Sequence, residues 1–324
     1  MIHVLGIDGG GSKTVCVLMS ADGKILGHGQ AGPSNYQTIG IEAAKIAIIS
    51  AIQQAVEHSF LALERFVPIQ GISLGLAGVG RSEDIELIRN LIAEIQTSSE
   101  LPIDWKLTPE NIIINSDSVI ALVGGLGHFV GIVVIAGTGS HIFGKNHHRI
   151  SKRVGGWGYL LGDEGSGYDI AIQGLKSALR SYDGRLESTQ LIPAFQDALN
   201  LNSIEELIPV VYRQGWGVKD IASLAPIVDQ VAASGDPIAE NIIKNAAHEL
   251  ALATEVAINH LFEPTDSFEI VVMGGVWKGL ANFRRQFEAE INAIAPLATI
   301  ISPRHEPAYG AGLLALESSS VKLK

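Results

Sequence analysis

Two glycine turns, each set between β-strands, constrain this chain more than any other feature of its sequence. Gly6-Ile7-Asp8-Gly9-Gly10-Gly11-Ser12-Lys13-Thr14 follows an apolar run from Ile2 and leads into Val15-Cys16-Val17-Leu18. Ile135-Ala136-Gly137-Thr138-Gly139-Ser140 closes the run from Gly131 and leads into His141-Ile142-Phe143. Such a turn brings bare backbone N–H groups and hydroxyls close to an anion, with no Cβ in the way. One turn in each half points to a duplicated domain that holds one polyphosphate from both sides. Neither is a P-loop, which needs adjacent Gly and Lys, because Ser12 separates Gly11 from Lys13. Neither opens a helix as G-x-G-x-x-G does. For either turn alone, an ordinary hairpin is the alternative.

The pattern around the turns supports a duplication of element order. In the first half the strands are Ile2 to Ile7, Thr14 to Met19 and Lys24 to Gly29, with a turn at Ala21-Asp22-Gly23. Ile41 to His58 carries apolar residues at helical spacing, and Ile69 to Leu76 is nearly all apolar, as a central buried strand is. Ser82 is expected to cap a helix through about Ile95, helped by Glu83 and Asp84 in its first turn. Asn111 to Asn115 is the next strand, and a short helix is expected from Val119. The order then restarts with strands Gly131 to Ile135, His141 to Lys145 and Ile150 to Val154. A helix-rich insertion occupies Ser166 to about Phe262. Strand Glu269 to Met273, a helix from about Lys278 to Ala293, strand Thr299 to Ile301 and a helix from Ala308 complete the chain.

The expected fold is α/β: two ribonuclease H-like lobes, a duplicated βββαβαβα with a helical insertion in the second lobe. Residues 1–117 form the first lobe and 118–324 the second, with the last helix bracing the first. Ligands are expected in an interlobe cleft, at the carboxyl ends of the parallel strands.

Composition narrows the function classes. The 324 residues suffice for two cores, and the net charge of −11 with no Lys/Arg cluster argues against nucleic-acid binding. No run approaches the roughly 18 apolar residues a membrane span requires, and Met1 to Ile7 is too short for a signal segment. The one cysteine, Cys16, excludes an internal disulfide framework and suits a reducing, cytoplasmic compartment; in an apolar strand it reads as an inert core residue. The ten histidines form no metal-ligand spacing, and His147-His148 reads as a hairpin tip.

With these residues in view, the chain resembles the sugar kinase/Hsp70/actin superfamily, and within it the branch of N-acetylglucosamine kinases and BadF/BadG/BcrA/BcrD-type ATPases. The matching stretches are Asp8 to Thr14, Gly32-Pro33-Ser34-Asn35, Leu76 to Arg81, Asn115-Ser116-Asp117 and Ala136 to Ser140. Gly155 to Gly158, Gly162 to Ser166 and Val272 to Lys278 continue the match. The resemblance implies an ATP-dependent kinase of an amino sugar, most simply N-acetylglucosamine converted to its 6-phosphate. It implies that Gly9, Gly10, Gly11, Ser12 and Lys13, with Gly137, Thr138 and Gly139, wrap the β- and γ-phosphates of ATP. Asp8 would hold Mg²⁺, through water because Mg²⁺ keeps much of its hydration shell. Gly274 and Gly275 would open a slot for the adenine ring, and Ser223 would touch the nucleotide. Asn35 and Asp163 would bind sugar hydroxyls, with Ser140, His141, Gly156, Trp157 and Gly158 shaping that pocket.

Asp117 is implied as the catalytic base, a carboxylate at a strand end that accepts the proton of the attacking sugar hydroxyl. From position alone, a helix N-cap is an equal reading of Asp117, and core packing is the alternative for Trp157. An ATPase that activates a radical dehydratase is a rival within the same fold, but Cys16 alone cannot supply the thiolates of its iron–sulfur cluster. A non-catalytic sugar sensor is a second rival, against which the presence of Asp117 speaks. The expected partners are a small-molecule sugar and a second copy of the chain as a homodimer. Residue patterns leave glucosamine, N-acetylglucosamine, N-acetylmuramic acid and glucose open as the sugar.

Overall fold

The computed structural model describes residues 2–63, 65–99, 101–213 and 215–320. The chain forms two compact units, one running to Phe129 and resuming at Pro303, the other Val130–Ser302. The first unit contains β1 (His3–Gly9), β2 (Thr14–Ser20), β3 (Ile25–Ala31), α1 (Tyr36–Ile39), α2 (Ile41–Glu57), β4 (Val67–Ile69), β5 (Gly71–Leu76), α3 (Ser82–Thr97), β6 (Ile103–Trp105), β7 (Ile112–Ser116) and α4 (Asp117–Leu126). The second contains β8 (Gly131–Ala136), β9 (Ser140–Lys145), β10 (Ser151–Gly155), α5 (Gly167–Tyr182), α6 (Leu191–Leu199), α7 (Leu207–Arg213), α8 (Val218–Ala222), α9 (Ala225–Ala233) and α10 (Pro237–Leu261), then β11 (Glu269–Met273), α11 (Gly275–Gly279), α12 (Ala281–Ile294) and β12 (Thr299–Ile301). The closing helix α13 (Pro307–Ser320) belongs to the first unit.

Each unit is built on a five-stranded sheet, and the two sheets share one strand order. They run β3-β2-β1-β5-β7 and β10-β9-β8-β11-β12. In both, the first three strands pair antiparallel and the next two add in parallel. The duplication read from element order is therefore a duplication of topology.

Period-two alternation explains why the first sheet is covered on both faces. Leu5, Ile7, Cys16 and Leu18 face the core formed with α2 and α3, whereas Val4, Val15, Val17 and Met19 face Ala308 and Ala315 of α13. Close approach on the α13 side depends on glycine. A Cβ on Gly6 would strike the backbone of Ala308 and Gly312, and one on Gly310 would strike that of Ile120 and Gly124. Through these contacts α13 is wedged against β1 and α4. That contact keeps α4 with the first unit and carries the division to residue 129, past the expected one at 117. In the second unit, Ile132, Val134 and Ala136 of β8 pack with Ile170 of α5, Leu250 of α10 and Phe283 and Phe287 of α12.

Several local expectations are corrected. The run Ile69–Leu76 is split at Gln70 into β4, which pairs with the unforeseen β6, and the central β5. Ser82 is the first residue of α3; its boundary is made by Asp84, whose Oδ2 accepts the N–H groups of Gly80 and Arg81 at 3.2 and 2.8 Å. The helix expected from Lys278 to Ala293 is two helices, α11 and α12, meeting at Leu280. The helix expected from Val119 begins at Asp117.

Candidate functional site

In the first unit the glycine turn is a hairpin, closed by the Gly10 N–H donating to the Lys13 carbonyl at 2.9 Å. The hairpin alternative thus describes its form correctly. Its three glycines, Gly9, Gly10 and Gly11, are not equivalent. A Cβ on Gly9 would collide with the side chains of Ser34 and Leu76, which would have to move to admit it. A Cβ on Gly10 would make only an ordinary contact with the Lys13 carbonyl at 3.6 Å, one on Gly11 would stand in open space, and Gly11, Ser12 and Lys13 are exposed. The carbonyl of Gly10 accepts the N–H groups of Ser34 and Asn35 at 3.0 and 3.2 Å, joining the turn to the segment before α1. Thr14 Oγ1, buried, lies 2.8 Å from Ser34 Oγ and steadies the same junction. Asn35 is the N-cap of α1, its Oδ1 accepting from Gln37 N–H at 3.2 Å.

Asp8 lies one residue inside the end of β1, in register with Gly75 of β5, which in turn pairs with Asn115 of β7. Gly75 has no side chain because Ile120 of α4 fills that space, so α4 sits close over the sheet and carries Asp117 at its first turn. The outcome is electrostatic. Burial pushes the Asp8 carboxyl up to about 7, and the charges of Asp117 and Glu306 add to this while Lys13 opposes it. Asp117 is the first helical residue rather than the N-cap, which is Ser116. Its Oδ1 accepts from Ser118 N–H at 2.8 Å, and Oδ2 accepts no hydrogen bond among the described residues.

In the second unit the turn is held from behind. Gly137 N–H donates to the Gly139 carbonyl at 2.9 Å, and the Gly137 carbonyl accepts Gly167 N–H at 2.8 Å, tying the turn to the start of α5. Gly139 lies against Asp163, whose carboxylate leaves no room for a Cβ. Asp163 itself occupies the left-handed region, with φ 62, a conformation that residues with a Cβ rarely adopt and that Asp tolerates better than most. Its Oδ1 accepts Gly158 N–H at 3.2 Å. Burial raises the Asp163 carboxyl above its ordinary range, against the lowering effect of the Gly158 N–H and of His141. Ser140 is buried, and its hydroxyl donates to the Glu164 carbonyl at 2.7 Å, anchoring the loop that carries Asp163. Gly156, with φ 72, closes onto Arg153 and the Cβ of His141. Trp157 is 75% exposed, so core packing does not account for it.

Beside this turn lies a cavity of about 340 Å³ lined by Gly137, Thr138, Gly167, Ser223 and Gly275 from the sequence motifs and their neighbours. Ala222, Ala225, Pro226, Val276 and Leu280 supply apolar walls, and Lys219 stands at the rim. Gly274 is a different kind of glycine. At φ 114 it packs on Ala136 and Gly137, so it seats the turn while Gly275 faces the cavity. The helical walls and Lys219 carry no motif and were missed; only folding brings α8 and α9 to the strand ends. Among the described residues no cluster of three or more His, Cys, Asp or Glu forms a metal site, and no helix is long and apolar enough to cross a membrane.

Two sheets of one strand order, each with a glycine turn between its first strands, define a duplicated α/β fold of ribonuclease H-like lobes. A model of the BadF/BadG/BcrA/BcrD ATPase family matches residues 5–315, and the chain belongs to that family. It is 36% identical over 315 residues to an N-acetylmuramic acid/N-acetylglucosamine kinase of Clostridium acetobutylicum, covering 97% of this chain and 98% of the relative. It is 32% identical to an N-acetyl-D-glucosamine kinase of Dictyostelium discoideum, again over 97% and 98%. Among solved structures, a protein of Chromobacterium violaceum provisionally described as an N-acetylglucosamine kinase superposes with a TM-score of 0.73 at 24% identity, over 97% and 98% of the chains. A ROK family glucokinase of Streptomyces griseus, solved with glucose and AMPPNP, gives 0.53 at 15% identity, over 98% of each chain.

Proposed function

We propose that this protein is an ATP-dependent kinase of an amino sugar, converting N-acetylglucosamine to N-acetylglucosamine 6-phosphate. The observation that carries the reading is the full-length similarity to the Clostridium and Dictyostelium kinases. The apolar cavity flanked by Gly275 and Ser223 is of a size and lining to take an adenine ring. The turns Gly9–Lys13 and Gly137–Gly139 offer backbone N–H groups to phosphate oxygens. Asn35 and Asp163 hydrogen-bond sugar hydroxyls, and each is already fastened to the glycine turn of its own unit.

Asp117 takes the proton of the 6-hydroxyl as its oxygen attacks the γ-phosphorus. The bond from that phosphorus to the β–γ bridging oxygen breaks, and ADP leaves. The uncommitted Oδ2 is the accepting atom, while Oδ1 is held by the start of α4. Mg²⁺ fits at Asp8, a buried carboxylate crowded by the negative charges of Asp117 and Glu306, which a hydrated divalent cation relieves. When bound, that ion neutralises charge on the transferring phosphoryl group. A cytoplasmic location and a homodimer complete the proposal; the lone cysteine, buried in β2, suits a reducing compartment.

The test is ADP release with Mg²⁺ across N-acetylglucosamine, glucosamine, N-acetylmuramic acid and glucose, with the product position assigned by NMR. N-acetylglucosamine should be turned over with phosphate at O6. Absence of sugar-dependent ADP release with every sugar would overturn the reading.

A further inference from the structure

A second cavity, of about 650 Å³, lies wholly within the second unit, where the turn from α9 to α10 meets the first part of α12. No residue lines both it and the cavity beside Gly137. Its polar lining is Glu240, Asn241 and Lys244 of α10 with Asn282, Arg285 and Gln286 of α12. One turn further along both helices, His248 Nδ1 lies 2.8 Å from Glu290 Oε2, and that hydrogen bond joins them. At the other end the Asp236 carboxylate, fixed by Thr189, Gln190, Ile238 and Ala239, holds the start of α10. The walls therefore stand without an occupant.

The lining defines what could enter. It carries two cations, Lys244 and Arg285, against one carboxylate, Glu240, in a chain whose net charge is −11. Arg285 donates to Asn282 Oδ1, which fixes the guanidinium beside that amide. Gln286 Oε1 is buried and accepts no hydrogen bond among the described residues, so its amide gains by turning to a donor. A guanidinium and an ammonium together match a phosphate. Side-chain amides, which donate and accept, match hydroxyls. A single ligand with a phosphate and several hydroxyls uses every polar group of this set, and the volume is in the roughly 300–1,000 Å³ range of small-molecule sites.

Two elements connect this cavity to the one assigned to adenine. Helix α9 walls the adenine cavity with Ala225 and Pro226 at its start and the second cavity with Ala232 and Ala233 at its end. Those ends stand about 12 Å apart along the helix. Leu280, a wall of the adenine cavity, immediately precedes α12, whose second residue, Asn282, lines the second cavity. A ligand that moves α9 against α12 moves both cavities.

We propose that this second cavity is an effector site for a sugar phosphate, and that its occupancy changes the affinity for nucleotide. The site itself stands apart from the kinase reading; its effect on nucleotide rests on that reading.

Calorimetry tests it with N-acetylglucosamine 6-phosphate and glucose 6-phosphate, the catalytic site being filled beforehand with N-acetylglucosamine and a non-hydrolysable ATP analogue. Wild type should still bind a sugar phosphate, and Lys244→Gln and Arg285→Gln should each weaken that binding roughly 10- to 100-fold, as loss of a charged hydrogen-bonding partner does. Both residues are exposed, so both variants should melt as wild type does. The tighter of the two sugar phosphates tells product feedback from control by a different sugar phosphate. Inorganic phosphate, lacking hydroxyl arms, should bind more weakly than either. The sugar phosphate should also shift the Kd of the analogue by about 5- to 150-fold in wild type and much less in the variants. No binding beyond the catalytic site, inorganic phosphate binding as tightly, unchanged binding in both variants, or an analogue Kd indifferent to sugar phosphate overturns the inference. A wild type that binds neither the analogue nor N-acetylglucosamine overturns the kinase reading instead, and the two variants still report on the second cavity.

Discussion

Gly139 lies directly against Asp163: a Cβ on Gly139 would stand 3.2 Å from the Asp163 Cγ and closer still to its Oδ2. The first unit repeats this relationship in another form, with the Gly10 carbonyl holding the Asn35 amide at 3.2 Å. In each unit the turn assigned to phosphate touches the residue assigned to sugar.

The first prediction separates glycines the fold needs from those a ligand needs. Gly11→Ala adds a methyl group into open space and should change the unfolding free energy by no more than about 0.5 kcal/mol, the range of ordinary surface changes. If phosphate lies there, affinity for a non-hydrolysable ATP analogue should still fall in calorimetry. Gly9→Ala should instead destabilise by about 1–3 kcal/mol, since Ser34 and Leu76 must move. Unchanged nucleotide affinity in Gly11→Ala would place the phosphates elsewhere.

Asp117→Asn keeps size and the bond from Ser118 but cannot accept a proton. We expect kcat to fall by about 10²–10⁴, with sugar and nucleotide dissociation constants near wild type. Retention of more than roughly a tenth of kcat, where chemistry limits the rate, would reduce Asp117 to a residue that stabilises the start of α4.

Asp163 gives a pH signature. Its carboxyl is raised by burial, so on acidification it should protonate earlier than an ordinary carboxylate, and the sugar KM should climb from that higher pH. The same shift makes the ionised form a cost to folding above the raised value. Asp163→Asn should therefore melt higher than wild type at neutral pH while binding sugar more weakly. A variant that melts lower and binds normally would assign Asp163 to structure.

Asp236 is the opposite case, remote from the site. It caps α10, with Oδ1 accepting Ile238 and Ala239 N–H at 3.0 Å each, and Oδ2 accepting Gln190 N–H at 2.7 Å and Thr189 Oγ1 at 2.8 Å. Burial works to raise its pKa, but these donors outweigh burial and hold it below its ordinary value near 3.8. The stabilisation is present above that value and lost as pH falls through the lowered one. Asp236→Ala should cost about 1–3 kcal/mol in urea unfolding at pH 7, and the gap should close at strongly acidic pH.

Strand periodicity and the glycine turns made both halves of the fold legible, because two-residue alternation and bare-backbone turns are local properties. Asp8, Asn35, Asp117 and Asp163 could be named as candidates because each lies in one of the short motifs that carry the family resemblance. Boundaries were less so. Ser82 looks like a cap, but the Asp84 carboxylate makes that boundary from inside the helix, and Gln70 splits an apolar run that sequence reads as one strand.

The sequence by itself determined the duplicated element order, the two turns and the chemistry of their residues, since these depend on neighbours in the chain. Only the tertiary structure decided where a glycine is required: a Cβ on Gly274 would strike the Ala136 backbone, and those on Gly9 and Gly139 would press on side chains distant in sequence, while Gly11 is open. It also decided the walls of the cavity beside Gly137, where α8 and α9 come to the end of β8, and the clasp of Tyr36 by Asp84 across 48 residues. These depend on packing between elements, which no local pattern records.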